Sequence, residues 1–554
     1  MPTPPRSPNA APLEDPSESL AIVASSVKPH PAHATLLEAL ESAAAADAPY
    51  ATFHAAGGAH PLDARATLVG ARRWCAALRA HGASRGERVA ILLPTGPAFV
   101  TALLGTMLAG AIPVPLAAPL GFGKLDRFLE NVARILTTAD ARFLVTYPRV
   151  RDAGARLPAP IVLTEPDLDG LGPCVALSSS IDAADTALLQ FTSGTTGEPK
   201  GAVISHRALM CNAFAIARGL DLRPDDVGVS WLPLFHDMGL IGVLLTAIAH
   251  PYAVHLMSPE SFVMRPMRWL ETLARVGGTL SCAPNFGFEL AASRADRYEG
   301  GALDRVRLLL NGAEPVRPAT VARFVERFAA RGLRPDVMLP AYGMAESTLA
   351  VALPSLDARL EVAHGAVSVG SPVAGASIAI IDDRGRPMAE RAIGEIRVSG
   401  SSLMDGYFRN ERASAEALRD GWLRTGDLGF LDRGQLFVTG RAKDVIIQAG
   451  RNLFATDVER IALEACGGRA SMIAAFARRN DDRGTEDLVV LVETLERDEA
   501  RRRSIASTVR GEVLAAIGAR VDDVLFCPVG AAPRTTSGKV RRGECARFVA
   551  EGAS

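Results

Sequence analysis

The sequence predicts an α/β protein with layered, largely parallel sheets covered by helices, a β-rich stretch before residue 440, and a small α+β unit at the C-terminal end. Three observations carry this. Strand-like and helix-like apolar runs alternate through much of the 554 residues. No charged side chain occurs from residue 89 to residue 123. The pattern then changes near Arg441-Ala-Lys-Asp444, where short strands and two helical stripes follow in quick succession. A single core stops growing at roughly 250–300 residues, so the chain holds at least two domains.

In chain order, residues 1–35 are rich in Pro, Ala and Ser and read as a mobile tail without the basic start and apolar run of a signal peptide. Residues 63–79 place Leu68, Ala71, Cys75 and Leu78 on one helical stripe. The uncharged stretch 89–123 is long enough to span a bilayer. Pro94, Pro97, Pro113, Pro115 and Pro119 divide it into a strand from Val89, a helix over 98–109 and a strand over 112–116, which is a buried β-α-β unit. Residues 378–382, 394–398 and 435–439 read as strands of the β-rich stretch. Beyond residue 444 come a strand at 445–447, a helix at 456–464, a strand at 487–494 and a helix at 505–517.

Composition narrows the function. Lys plus Arg is 60 and Asp plus Glu 61, a net charge of −1 that argues against a dedicated nucleic-acid binder. Seven cysteines without a C-x-x-C pair point to free thiols in a reducing compartment rather than a disulfide or zinc framework.

Phe191-Thr-Ser-Gly-Thr-Thr-Gly-Glu-Pro-Lys-Gly201 follows an apolar strand at 187–190 and precedes an apolar helix from Ala208. Its glycines let backbone N–H groups approach an anion, and Thr192, Ser193, Thr195 and Thr196 add hydroxyls. Together with Gly194, Gly197 and the charge of Lys200, this suits a polyphosphate, although the spacing is not that of a Walker loop. Four further motifs follow in order: Ala341-Tyr-Gly-Met-Ala-Glu-Ser347, Arg424-Thr-Gly-Asp-Leu-Gly429, Gly440-Arg-Ala-Lys-Asp444 and Arg534-Thr-Thr-Ser-Gly-Lys-Val540.

This ordered series resembles the adenylate-forming superfamily, from about residue 36 to the end. The resemblance implies a large N-terminal adenylation domain over 36–442 and a small mobile lid over 443–554, with ATP and Mg²⁺ as cofactors. It implies that Glu346 is catalytic and the Mg²⁺ ligand. Tyr342, within Ala341, Gly343 and Met344, would stack on adenine against a second wall from Asn311, Gly312, Ala313 and Glu314. Asp427 would take the ribose hydroxyls, and Arg441 the ribose and phosphate. Lys539 would reach the carboxylate and α-phosphate, and Lys443 would be the hinge.

Within the superfamily, Ser230-Trp-Leu-Pro-Leu-Phe-His-Asp-Met-Gly239 implies an acyl site. Trp231, Phe235, Met238 and Gly239 would line it, His236 would gate it with a catalytic role, and Asn285 and Phe286 would contribute from a second segment. The order Phe235-His236 disfavours an α-amino acid. Met257-Ser-Pro-Glu-Ser-Phe-Val-Met-Arg-Pro-Met-Arg-Trp-Leu270, Cys282-Ala-Pro-Asn-Phe-Gly-Phe-Glu-Leu290 and Gly450-Arg-Asn-Leu-Phe454 are similar to fatty acyl-AMP ligases. That implies a cytoplasmic enzyme, without a membrane span, that adenylates a medium- or long-chain fatty acid. It would pass the acyl group to an acyl carrier protein in lipid or polyketide assembly. Only residues 347–369 separate Glu346 from Gly370, which is short for the insertion many such ligases carry. This keeps CoA, the acceptor of acyl-CoA synthetases, as the alternative.

Overall fold

The computed structural model describes residues 20–55, 57–118, 125–154, 157–158, 161–174, 181–192, 199–448, 451–480, 485–534 and 540–550. The uncharged stretch forms its expected unit. Strands Arg88–Leu92 and Ile112–Pro115 pair in parallel around the helix Pro97–Leu108, whose residues from Phe99 onward are all buried. They belong to a four-stranded parallel sheet with Ala141–Thr146 and Ile161–Leu163. The helix Ala64–Ala80 packs beside it. Asp63 caps that helix by accepting from the N–H of Ala66, and the Leu68, Ala71, Cys75 and Leu78 stripe faces inward. Among the described residues no helix is long and apolar enough to cross a membrane.

A second sheet has seven strands in the order Met338–Pro340, Leu308–Asn311, Leu280–Ala283, Val227–Ser230, Ala253–Met257, Ala51–Ala55 and Gly58–Leu62. All neighbours are parallel except the last hairpin. One large core runs through both sheets, with Trp74, Phe143, Trp269 and Phe288 at most 1% exposed. Each such side chain contributes roughly 1.5–3 kcal/mol or more by leaving water.

The β-rich stretch is a six-stranded antiparallel sheet. Ala376–Ile381, Gly394–Gly400 and Trp422–Asp432 lie side by side, and both Leu418–Arg419 and Gln435–Arg441 pair with Trp422–Asp432. After residue 445 two further apolar clusters form. One is centred on Val458, Val490 and Val509, the other on Ala474, Leu491 and Cys545. They surround the sheet Met472–Asn480, Thr485–Glu493 and Val521–Cys527.

Two expectations need correction, and one motif gains a structural setting. Residues 20–35 are not a loose tail. Ile22–Ala24 pairs with Ala376–Ile381, and Ala21 is fully buried with its N–H on Met388 O and its C=O on Ile380 N–H. The exposed edge of the antiparallel sheet captures this short apolar run; residues 1–19 lie outside the described part. Second, the loop after Phe191 does not lead directly into a helix. The apolar run at 202–204 forms a return strand, Lys200–Ser205, antiparallel to Thr186–Thr192. The Thr425-Gly-Asp427 motif lies within the sheet. It is a bulge inside Trp422–Asp432, where three residues oppose Ile396 alone and Gly426 has φ +69°.

Candidate functional site

The antiparallel hairpin brings Thr192 opposite Lys200 and so closes the Ser193, Gly194, Thr195, Thr196 and Gly197 loop, which itself lies outside the described residues. The Lys200 ammonium lies 5.2 Å from the centre of the Tyr407 ring. Tyr407 bridges to Ala202, so it is fixed to the same hairpin, and its hydroxyl donates to Glu346 Oε1 at 2.8 Å. Burial, and then the Glu346 carboxylate, push the Tyr407 phenol well above its ordinary range. It therefore remains a donor at neutral pH. Nothing in the sequence marked Tyr407, because the link to Glu346 spans 61 positions.

Glu346 sits in a short 3-10 turn, Ala345–Ser347, and is part-exposed. Among the described residues its second carboxylate oxygen has no protein hydrogen bond. No cluster of three metal-binding side chains occurs among the described residues. A cation with one protein carboxylate, waters and substrate phosphates is the way Mg²⁺ is usually held, so Glu346 fits that group.

Asp427 is 5% exposed. Tyr342 Oη donates to its Oδ2 at 2.7 Å, and Arg441 Nε meets its Oδ1 at 2.9 Å from the directly opposed position of the neighbouring strand. Each carboxylate oxygen has two acceptor sites, so both keep capacity for a further hydroxyl. The Arg441 guanidinium is held charged by Asp427, and burial followed by Asp427 raises the Tyr342 phenol well above normal. Tyr342 and Gly343 form a two-residue strand, and a Cβ on Gly343 would lie 2.0 Å from Leu349 O. Only glycine allows this approach, which seats the tyrosine.

The second wall starts where the strand Leu308–Asn311 ends. Ala313 has φ +65°, and a Cβ on Gly312 would come within 3.0 Å of Ala341 O, so this turn lies directly against the Ala341-Tyr-Gly-Met344 segment. Glu314 Oε1 accepts from the N–H of Phe286 at 2.5 Å, placing a carboxylate at the start of the helix Asn285–Ser293.

The acyl candidates divide. The C=O of Phe235 accepts from Gln190 Nε2 at 2.9 Å, which ties the 231–239 segment to the strand that carries the phosphate loop. His236 Nδ1 lies 2.6 Å from Asp237 Oδ1, and Met238 and Gly239 open the π-helix Met238–Leu245. Trp231 is only 3% exposed. It stacks on Phe262 with ring centres 3.8 Å apart and meets Phe286 edge-on at 5.8 Å. Asn285 is 5% exposed and its amide is committed. Nδ2 donates to Thr320 Oγ1, and Oδ1 accepts from Asn311 Nδ2 and from the N–H of Arg317. It pins the Asn311-Gly-Ala-Glu314 turn to the helix.

Buried polar atoms without partners gather here. Among the described residues Gln190 Oε1, Trp231 Nε1, Asn311 Oδ1 and Ser347 Oγ have none, and they belong to the four segments just described. Natural proteins leave few such atoms, and a ligand or ordered water satisfies them.

On the other side of Arg441, Lys443 lies in the 3-10 turn Ala442–Asp444, and burial lowers its ammonium's proton affinity. Asp444 pairs with Arg542 at 2.5 Å, and Arg542 also forks onto both oxygens of Glu459 at 2.8 Å. Lys539 lies outside the described residues, but Arg534 and Val540 bridge across its loop, and Arg534 Nη2 donates to buried Glu493. Arg542 is thus a second residue that no motif pointed to.

Comparison with known proteins bears on this cleft. The profile of the family described as "AMP-binding enzyme" matches residues 45–408. The chain is 37% identical over 533 residues to a 4-hydroxyphenylalkanoate adenylyltransferase of Mycobacterium tuberculosis, covering 86% of this chain and 84% of that one. It is 36% identical over 516 residues to the long-chain-fatty-acid–AMP ligase FadD26 of Mycobacterium bovis, covering 83% and 86%. A solved structure from a study of fatty acyl-adenylate ligases of E. coli and L. pneumophila superposes with a TM-score of 0.86 at 31% identity, over 95% of this chain and 99% of that one.

Proposed function

The chain belongs to the AMP-binding enzyme family and is an adenylate-forming ligase; from that premise we propose that it activates a medium- or long-chain fatty acid as its acyl-adenylate and then transfers the acyl group to the phosphopantetheine thiol of an acyl carrier protein. The observation that carries the reading is the Asp427 carboxylate held at once by Tyr342 and Arg441, beside the hairpin that presents Lys200 and Tyr407 to Glu346.

In the first half-reaction a carboxylate oxygen of the acid attacks the α-phosphorus of ATP. A P–O bond forms, the bond to the β-phosphate oxygen breaks, and pyrophosphate leaves. Two anions must meet, so the work is positioning and charge stabilisation. Asp427 orients the ribose through its hydroxyls while Arg441 holds its Oδ1. Tyr342 and the turn Asn311-Gly-Ala-Glu314 enclose the base. Lys200 and the loop before it hold the leaving phosphates, and Lys539 brings a positive charge to the reacting oxygens. Tyr407 holds Glu346 so that its free oxygen points to one place. A Mg²⁺ ion bound there would neutralise charge on the phosphates. Phe286, Phe235 and Met238 offer apolar contacts to the acyl chain, with His236 at their edge. In the second half-reaction a thiol sulfur attacks the acyl carbonyl and AMP leaves, with the small C-terminal unit turned about Lys443.

The relative named as an AMP ligase and the segments at 257–270 and 282–290 support the carrier-protein acceptor. One observation favours CoA instead. The stretch after Glu346 is occupied by short strands, Ala350–Leu353, Val362–Ala363 and Ala366–Val367, in place of a long insertion. The test is pyrophosphate release with ATP, Mg²⁺ and a fatty-acid panel, followed by mass spectrometry of products with CoA or with phosphopantetheinylated carrier protein. Acid-dependent pyrophosphate release that disappears in Lys539→Ala is expected, with acyl transfer to carrier. Efficient acyl-CoA formation with none on carrier would reject the proposed acceptor. Phosphate release without any acid would reject adenylation.

A further inference from the structure

A charged cavity of about 260 Å³ opens on the six-stranded antiparallel sheet, in residues apart from the nucleotide set. Arg384, Arg397, Arg419 and Arg424 line it together with Glu395 and Asp383. Arg397 and Arg424 stand directly opposite each other on neighbouring strands, a like-charge pairing that disfavours the sheet. Arg419, in the strand on the far side of Trp422–Asp432, adds a third guanidinium.

The available carboxylates do not neutralise this set. Glu395 is shared, 3.2 Å from Arg397 Nη2 and 3.3 Å from both Nε and Nη2 of Arg424. Asp382, also at the cavity, is consumed by the Arg386 guanidinium and by the N–H groups of Arg384 and Arg386. Arg384 and Arg419 have no ion-pair partner among the described residues. Four guanidinium groups therefore share Glu395 and Asp383, an excess of two positive charges.

A row of solvated arginines would carry such an excess at little cost, but Arg397 is not solvated. Its side chain is 14% exposed, and its Nε is buried with no hydrogen-bond partner among the described residues. Burial lowers its proton affinity, and Arg424 and Arg419 add to this against the pull of Glu395. An arginine does not discharge in proteins, so the charge stays and the cost remains until an anion offsets it.

We infer that this cavity is a binding site for a phosphate dianion. Guanidinium forks match phosphate oxygens in pairs, and two negative charges balance the excess. The volume lies just below the range of roughly 300–1,000 Å³ typical of small-molecule pockets, so it suits a phosphate with few further atoms rather than a whole nucleotide. The phosphate can be free, as orthophosphate or pyrophosphate, or the end of a phosphomonoester.

The test uses the full chain and its Arg384→Gln/Arg419→Gln variant, both exposed positions. Each is titrated with orthophosphate, pyrophosphate and phenyl phosphate at constant ionic strength, followed by calorimetry and by thermal midpoint. Binding at the phosphate loop is common to both proteins and cancels in the comparison. The expected result is a saturable component in the unaltered chain that is at least tenfold weaker in the variant, with a ligand-induced rise in midpoint that the variant loses. Acid-dependent pyrophosphate release stays within about twofold, which shows that the variant is folded. Tighter binding of phenyl phosphate assigns the site to a phosphomonoester, and tighter binding of orthophosphate or pyrophosphate assigns it to the free anion. Equal isotherms for the two proteins, or no saturable component in the unaltered chain, would overturn the inference.

Discussion

Glu346 and Asp427 are carboxylates whose environments prepare them for different partners. Glu346 keeps one oxygen open while Tyr407 holds the other at 2.8 Å. A hydrogen bond to a charged group contributes roughly 1.5–3 kcal/mol, so Tyr407→Phe should lower acid-dependent pyrophosphate release about 10- to 100-fold. The same variant should need more Mg²⁺ for half-maximal rate, a shift that a general loss of fold would not produce. Asp427 has Tyr342 and Arg441 on its two oxygens. Asp427→Asn removes the charge but keeps the shape and leaves Arg441 without its counter-charge. Breaking one side of a buried pair costs about 3–5 kcal/mol, an upper figure here because the Arg441 side chain is 48% exposed to solvent. The ATP KM should rise at least tenfold and the melting temperature fall by several degrees, read from initial rates and thermal denaturation. The motifs made Asp427 and Tyr342 legible. They could not show Tyr407, whose importance lies only in where a distant turn places Glu346.

At the level of elements, the cleft is built by short segments that leave the ends of parallel strands, the usual location for ligands in α/β sheets. The strand Leu308–Asn311 ends in the turn Asn311-Gly-Ala-Glu314, Leu280–Ala283 leads into the helix Asn285–Ser293, and Val227–Ser230 leads to Trp231. The helix and the tryptophan touch closely, since a Cβ on Gly287 would sit 2.7 Å from Trp231 Cζ2. Gly287→Ala must therefore push the indole into the aromatic group it shares with Phe262 and Phe286. The expected outcome is an altered preference across a fatty-acid panel, with the ATP KM unchanged. Equal change in both would place Trp231 outside the acyl site. The β-α-β unit at 88–115 was legible because its pattern is local: proline breaks and continuous apolar runs. The edge strand Ile22–Ala24 was not, because its partner Ala376–Ile381 lies far along the chain and Pro- and Ala-rich composition masks a three-residue run.

For the whole molecule, buried histidines set an acid limit. His206 is 1% exposed and its ring is held to about 4 by burial, with only a weak opposing effect from Asp185; His54 also falls to about 4 through burial, His255, Arg275 and Arg268. The ordinary value is 6.5. Between those limits the unfolded chain binds protons that the folded chain refuses, so the histidine contribution to stability is complete above pH 6.5, falls as pH drops toward 4, and levels off below it. His206 alone should account for a loss on the order of 3 kcal/mol. Thermal denaturation from pH 7 to pH 4 measures this, and His206→Gln should flatten the profile. The proposed rotation at Lys443 belongs to the same scale. Proline there fixes φ and removes a backbone donor. Lys443→Pro should keep acyl-adenylate formation within a few fold and lower acyl transfer to the acceptor by orders of magnitude, measured in separate half-reaction assays. A variant that loses both equally would argue against a hinge. Asp444 is tied to Glu459 through Arg542, so under the proposed rotation the turning point would lie before Asp444 rather than after it.

By itself the sequence determined the chemistry class and the buried nature of the 88–115 unit. Both rest on residues that act through local spacing: glycines and hydroxyls in one loop, a tyrosine and a glutamate in one motif, an unbroken apolar run. Tertiary structure decided what depends on contacts between distant segments. It made Thr425-Gly-Asp427 a bulge that faces Tyr342, gave Glu346 a tyrosine to hold it, committed the Asn285 amide to its neighbours, and paired Ile22–Ala24 with a sheet edge. It also set Arg397 opposite Arg424 with too few carboxylates between them. The reason is physical: hydrogen bonds and ion pairs act over a few ångströms of space, whatever the separation along the chain.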